Sequence, residues 1–223
     1  MADNVRKLSF GELMAATSAG ARRHAALLLA YIAVITLAAT LLDSMAYLSS
    51  FVANVMVFVT GFFLYTHLLR REGLIAAHRS GHGFGAYFGV SILSGVAIVI
   101  GLVLLILPGL VLMARWSIAS GLTIAEGRST TDAMARSWDA TRGSQWAIVL
   151  AYFLFGLVLV GAPTVLLGVG IGLFAAWGEG SEFAGSLIAN LCAQLASVAS
   201  FVFSVAVIQS LSGSTDELEA VFS

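Results

Sequence analysis

Long apolar runs make up most of the chain, and short polar breaks separate them. A membrane-crossing helix needs ~20 apolar residues. Runs of this kind cover residues 25–42, 47–69 and 88–107, with a shorter one at 110–125 and a last one at 183–211. A further run, 146–177, is too long for one straight crossing. Pro163 and the glycines Gly161, Gly168, Gly170 and Gly172 are expected to break it, so that its second part kinks, tilts or re-enters the membrane.

Two segments are neither spans nor simple loops. In "LSFGELMAATSAGARR", Ser9 followed by Glu12 has the spacing of a capping box, and Leu8 with Leu13 that of a hydrophobic staple. In "RSTTDAMARSWDATRG", Ser129 and Asp132 repeat the cap. Helical spacing puts Asp132, Arg136, Asp139 and Gly143 on one face there. It puts Ala133, Met134, Ser137, Trp138 and Thr141 on the other. Both segments read as amphipathic elbow helices at the membrane interface, each leading into a span. Shifted by 120 residues, 9–26 aligns with 129–146 with identities Ser9/Ser129, Met14/Met134, Ala15/Ala135 and Arg22/Arg142. This is the pattern of an internal repeat, though a repeated elbow serves equally as a packing device.

The predicted fold is all-α: a polytopic membrane helical bundle of about six transmembrane helices plus two amphipathic interfacial elbow helices. A single membrane domain, 1–223, is expected. In it, elbow 8–23 precedes four spans within 25–125, and elbow 128–143 precedes a broken and a final span within 146–211, with a tail at 212–223. Composition agrees, because only 10% of residues are charged and 59% are hydrophobic, against roughly 25% charged in soluble domains. No basic run suits nucleic acid. The lone Cys192 has no internal disulfide partner.

Charge is distributed unevenly. With the N-terminus cytoplasmic, Arg6, Lys7, Arg22, Arg23, Arg70, Arg71, Arg79, Arg128, Arg136 and Arg142 all fall inside. The external turns "DSMAY", "LPG" and "GEGSE" hold no Lys or Arg, only Asp43, Glu179 and Glu182. This is the positive-inside pattern, and it predicts a multi-pass membrane protein with both termini cytoplasmic; the alanine- and arginine-rich, lysine-poor composition suggests a GC-rich bacterial genome. The charge pattern leaves one basic residue, Arg115, inside a span, at a cost of ~2.5–3.5 kcal/mol on insertion scales.

Several motifs point to a family. Leu107-Pro108-Gly109, Arg115-Trp116, Glu126-Gly127, Ala133, Ser137-Trp138, Thr141-Arg142-Gly143 and Trp146, with "LSFGEL" near the start, form a set. It resembles the pattern of the bacterial glycerophosphoryl diester phosphodiesterase membrane-domain family and the YciC-like inner-membrane proteins related to it. The resemblance implies a membrane module. In fused members the phosphodiesterase activity belongs to a separate soluble barrel. Spans and elbows consume these residues, so no phosphodiesterase domain is expected here.

Each candidate site has a structural alternative. Arg115 could bind an anionic headgroup, or it could snorkel or pair with an acid, for which Asp43, Glu179 and Glu126 are options. Glu126, Arg136, Trp138 and Arg142, with Trp116, could recognise anionic phospholipid, or could simply anchor the positive-inside face. Pro108, Gly109, Gly127, Pro163 and Asn190 read as structural. His67, His78, His82 and Glu72 form the only histidine-rich patch, but glycines interrupt it and the HExxH pattern is absent, so no metal is expected. Ser186, Asn190, Ala193, Ser197, Ser200 and Ser204 form a small, polar stripe, which Gln194 and Gln209 extend. Helix packing is the favoured reading and a polar pathway the other. No Gly-x-Ser-x-Gly elbow, phosphate loop or paired intramembrane carboxylate appears, so neither catalysis nor a cofactor is expected. The expected function is a non-enzymatic, lipid-interacting or membrane-organising protein. Its partners would be membrane lipids, anionic phospholipid among them, a second copy, or another membrane protein. A small-molecule or lipid transporter or channel is the alternative.

Overall fold

The computed structural model describes residues 8–45, 49–75, 83–161, 165 and 181–222. Among the described residues every regular element is helical. In chain order these are α1 (Phe10–Arg23), α2 (Ala25–Asp43), α3 (Ser49–Arg71), α4 (Phe84–Leu104), α5 (Ile106–Arg115), α6 (Ala119–Ala125), α7 (Thr130–Ala140), α8 (Gln145–Phe155), a π-helical turn (Gly156–Gly161) and α9 (Ser181–Phe222). Five helical stretches among the described residues are long and apolar enough to cross a membrane: Ala25–Asp43, Ser50–Arg71, Phe84–Leu104, Leu107–Ala125 and Phe183–Ser212. Large apolar side chains face outward along them, such as Leu29, Val34, Phe51 and Val103. In water such a surface would associate; in lipid it is the solvated one.

The structure corrects three expectations. The turn between the third and fourth runs falls at Leu105, which is extended, and not at Pro108-Gly109. Pro108 instead occupies the first turn of α5, where a missing N–H costs nothing. The fourth run is not one helix, because it breaks at residues 116–118 into α5 and α6. The run from residue 146 leaves α-geometry at Gly156, earlier than expected; Pro163, Gly168, Gly170 and Gly172 lie outside the described residues. Helix α9 runs on through the tail segment and stays helical to Phe222.

Two helix ends show why glycine stands where it does. At the end of α3, Gly73 has φ +72°. The Leu74 N–H reaches the Leu69 carbonyl at 2.9 Å and the Gly73 N–H reaches that of Arg70 at 3.1 Å, the paired bonds of a Schellman cap. Gly127, with φ +61°, stands just past α6.

The chain forms two compact units. The first comprises Met1–Gly20, Leu64–Phe153 and Phe201–Ser223; the second comprises Ala21–Phe63 and Leu154–Ser200. Within the first, α4 packs on α5, α6 and α7. Gly101 and Gly109 bring α4 and α5 close: a Cβ on Gly109 would stand 2.6 Å from the Leu102 backbone nitrogen. Tyr65, fully buried, bonds the Ser204 hydroxyl and stacks on Phe201 at 4.9 Å. A Cβ at Gly121 would strike the Tyr65 hydroxyl. Within the second unit, α2 and α9 run antiparallel. Asn190 Nδ2 donates to Asp43 Oδ2 at 2.9 Å and to Thr40 Oγ1 at 3.2 Å.

Both elbows are capped as their sequences predict. The Ser9 N–H donates to Glu12 Oε2 at 2.8 Å, and the Glu12 N–H returns to Ser9 Oγ at 3.3 Å. The Asp132 N–H donates to Ser129 Oγ at 3.3 Å. Leu13 and Thr17 are buried in α1; Ala133 and Ser137, their counterparts under the 120-residue shift, are buried in α7. The two helices therefore present the same register inward. The start of α1 is tied to the start of α8, since the Leu8 N–H donates to the buried Ser144 Oγ at 2.8 Å.

Candidate functional site

The break after α5 explains where Arg115 goes. A helix ends with carbonyls that have no intrahelical partner. Here the Ala119 N–H bonds the Trp116 carbonyl at 3.1 Å, and the Arg115 carbonyl takes its bonds from the elbow. Ser137 Oγ donates to it at 2.7 Å, and Thr141 Oγ1 lies at 3.3 Å. The Arg115 side chain acts in the opposite direction. Its Nη1 donates to the Trp138 carbonyl at 3.0 Å, in the last turn of α7. The carbonyls of that turn carry the negative end of the helix dipole, which favours a cation by ~0.3–1 kcal/mol. Hydroxyls from α7 thus cap α5, and the arginine of α5 caps α7.

One aromatic ring stands over the guanidinium. Its carbon lies 4.9 Å from the centroid of the Trp138 ring, within cation–π range. The Trp116 ring lies 6.1 Å from that of Trp138. Arg115 as a whole is 8% exposed. Its Nε is buried without a hydrogen-bond partner, and no carboxylate forms an ion pair with it among the described residues. The charged side chains whose fields reach it are Arg142 and Asp139, of opposite sign. Among the described residues, its hydrogen bond and its ring contact are both with neutral groups.

The other predicted residues fall as follows. Glu126 pairs with Arg128, so it does not balance Arg115. Asp43 accepts from Asn190 and from Ser186 instead. Glu179 lies outside the described residues. Arg136, Asp132 and Asp139 are exposed on the outer face of α7, and Trp146 is exposed at the start of α8. His67 accepts from Arg71 Nε at 3.4 Å, while Glu72 accepts from Gln209 at 2.6 Å; His78 and His82 lie outside the described residues. Of the Gly85-x-x-x-Gly89 pair only Gly89 makes a close approach, to Thr130 at the start of α7. Ser186, Asn190 and Ser204 of the stripe each bond a neighbouring helix, and Gln209 bonds Glu72 just past the end of α3. Sequence reasoning missed the part of Ser137 and Thr141 in holding the Arg115 carbonyl. The signal was there, as two hydroxyls four apart on the apolar face of an elbow, with a lone intramembrane arginine upstream.

Fold and site together define a polytopic helical membrane protein in which a broken apolar helix is locked to an amphipathic elbow. The chain belongs to the family of the membrane domain of glycerophosphoryl diester phosphodiesterase, whose family model matches residues 89–215, more than half its length. That stretch contains α5, α6, α7 and the whole Arg115 site. No curated protein and no solved structure matches the chain.

Proposed function

We propose that this is a non-enzymatic protein of the bacterial inner membrane that holds anionic phospholipid at the Arg115 site. The observation that carries the reading is the buried guanidinium, which has an orphaned Nε and no ion-pair partner among the described residues. Burying a cation is costly unless a counter-charge is found, and the partners of Arg115 are a carbonyl and a ring. A phosphodiester headgroup supplies an acceptor for the orphaned Nε and a negative charge shared with Arg142. Trp116 and Trp138 suit the amphipathic boundary where such a headgroup lies. In this reading the Arg-rich ends of α1 and α3, with α7, face the cytoplasm, as do both termini.

The test is native mass spectrometry of the protein extracted with its lipid. The parent chain is expected to retain an anionic lipid, Arg115→Ala to lose it, and Arg142→Ala to retain less. Unchanged lipid on a folded Arg115→Ala variant would sink the assignment. Orientation is tested separately by a cysteine at Ser44 and another at Ser129. An impermeant reagent is expected to label the first, and not the second, from outside the cell.

A further inference from the structure

The seam between α2 and α9 contains a second set of unmatched polar groups. At its open end stand Asp43, Ser186 and Asn190, with Thr40 beneath. One helical turn deeper, Thr40 gives way to Thr36 and Asn190 to Gln194. Residues four apart share a helix face, and the antiparallel Asn190–Thr40 bond fixes the register, so Thr36 and Gln194 meet at the same level. Both are buried, at 4% and 2% exposure. Thr36 Oγ1 and Gln194 Oε1 have no hydrogen-bond partner among the described residues. One turn deeper still come Ile32 and Val198, both buried and apolar, so the polar column ends there. From Asp43 to Thr36 its depth is ~10 Å at ~1.5 Å per residue.

A buried hydroxyl and a buried amide oxygen that both lack a partner are a costly arrangement in a lipid-surrounded bundle. The partners of Asp43 at the open end, Ser186 and Asn190, are neutral. We propose that this seam is a blind binding site, entered from the Asp43 end, for a small hydrogen-bond donor that bridges Thr36 and Gln194. The chemistry required is a donor for the Gln194 amide oxygen and a partner for the Thr36 hydroxyl. A primary ammonium group, drawn in by the Asp43 carboxylate, supplies it, and so does a water molecule. The site is separate from the Arg115 site in sequence, in the unit that holds it and in the sign of the ligand it takes.

The experiment uses the full chain with Cys192→Ser, in nanodiscs of neutral lipid. Single cysteines replace Thr36 or Gln194, and Val34→Cys, on an outward apolar position, serves as the unreactive control. Each variant that keeps the parent melting temperature is treated with a cationic (ethylammonium) or an anionic (ethylsulfonate) methanethiosulfonate. Labelling of Thr36→Cys and Gln194→Cys well above the control is expected. A cationic preference on the order of tenfold, abolished by Asp43→Asn, identifies an ammonium-class ligand. Equal rates for the two reagents identify water. No labelling of either cysteine overturns the proposal and leaves a dry seam with a direct Thr36–Gln194 hydrogen bond. A second measurement does not depend on cysteine. Thr36→Val is expected to lower the melting temperature by removing one anchor of the bound donor, and a rise would overturn the proposal.

Discussion

The Arg115 site and the α2–α9 seam answer the same demand in opposite ways. Within lipid, every polar group needs a partner supplied by the protein itself or by what the protein binds. At Arg115 the chain breaks a helix and sets hydroxyls against its free carbonyl and a guanidinium against the free carbonyls of the next helix. What remains there is an orphaned donor on a cation. In the seam both helices stay intact, and neutral amides and hydroxyls meet across a polar stripe. What remains there is an orphaned hydroxyl and an orphaned amide oxygen. The anion proposed for the first and the small donor proposed for the second both answer one physical rule.

The largest effect is expected where the comparison depends on the helix break. Ser137 and Thr141 together satisfy one carbonyl, and Ser137 is fully buried. Ser137→Ala leaves that carbonyl to the longer Thr141 bond and is expected to cost about 1–3 kcal/mol. Ser137→Ala with Thr141→Val strips the carbonyl of both and is expected to cost more than the two single changes added together. Reversible unfolding in mixed micelles measures this cycle. Additive losses would show that the hydroxyls act independently and that the break is held by packing alone.

Next comes a change whose sign depends on the surroundings. Arg115→Met removes a buried cation whose hydrogen-bond and ring partners are neutral. Replacing a buried charge by an apolar side chain of similar size is often neutral or stabilising by about 1–4 kcal/mol. In neutral detergent the variant is therefore expected to match or exceed the parent in stability. In bilayers containing anionic lipid, where the guanidinium gains its counter-charge, it is expected to be the less stable of the two. Melting temperatures in the two media check this, and the same ranking in both would separate Arg115 from lipid.

The seam should respond more mildly. Asn190→Leu breaks hydrogen bonds to Thr40 and Asp43, and interhelical bonds of this kind in membranes average ~0.6 kcal/mol, up to ~1.7. A loss in that range is expected in detergent and in anionic lipid alike, because no net charge changes. A lipid-dependent loss would mean that the two regions do not differ as their chemistry says.

The sequence made some of this visible and hid the rest for physical reasons. Long apolar runs and S-x-x-E and S-x-x-D caps are local signals, and α2, α3, α4 and both elbow caps follow them. The break at 116–118 was not legible, because "MARWSIASG" contains no proline and its single glycine, Gly121, lies after the break. Its cause is tertiary: the elbow hydroxyls stabilise the interrupted helix. Pro108-Gly109 misled in the opposite direction. Proline is tolerated in a first helical turn, and Gly109 serves the close approach to α4 more than any turn. At Arg115 the chain announced an expensive residue, but its partners lie in α7, more than twenty residues away. Thr36 gave no signal at all, since a threonine in an apolar helix usually bonds its own backbone, as Thr40 does.

The smallest effect compares the two elbows themselves. Both begin with an exposed serine cap, and both bury the same two positions. They differ in that only α7 is tied at its far end to Arg115 and its carbonyl. Losing a serine cap costs typically ~1 kcal/mol. If caps alone hold these helices, Ser9→Ala and Ser129→Ala should cost the same. The ties at the end of α7 make fraying of its first turn a smaller part of its stability, so Ser129→Ala is expected to cost less than Ser9→Ala. Hydrogen exchange of the first-turn amides measures the difference directly. With Ser137→Ala in the background, the cost of Ser129→Ala should rise toward that of Ser9→Ala. If it does not, the Arg115 site and the start of α7 are energetically separate, and the elbow is the same device in both places.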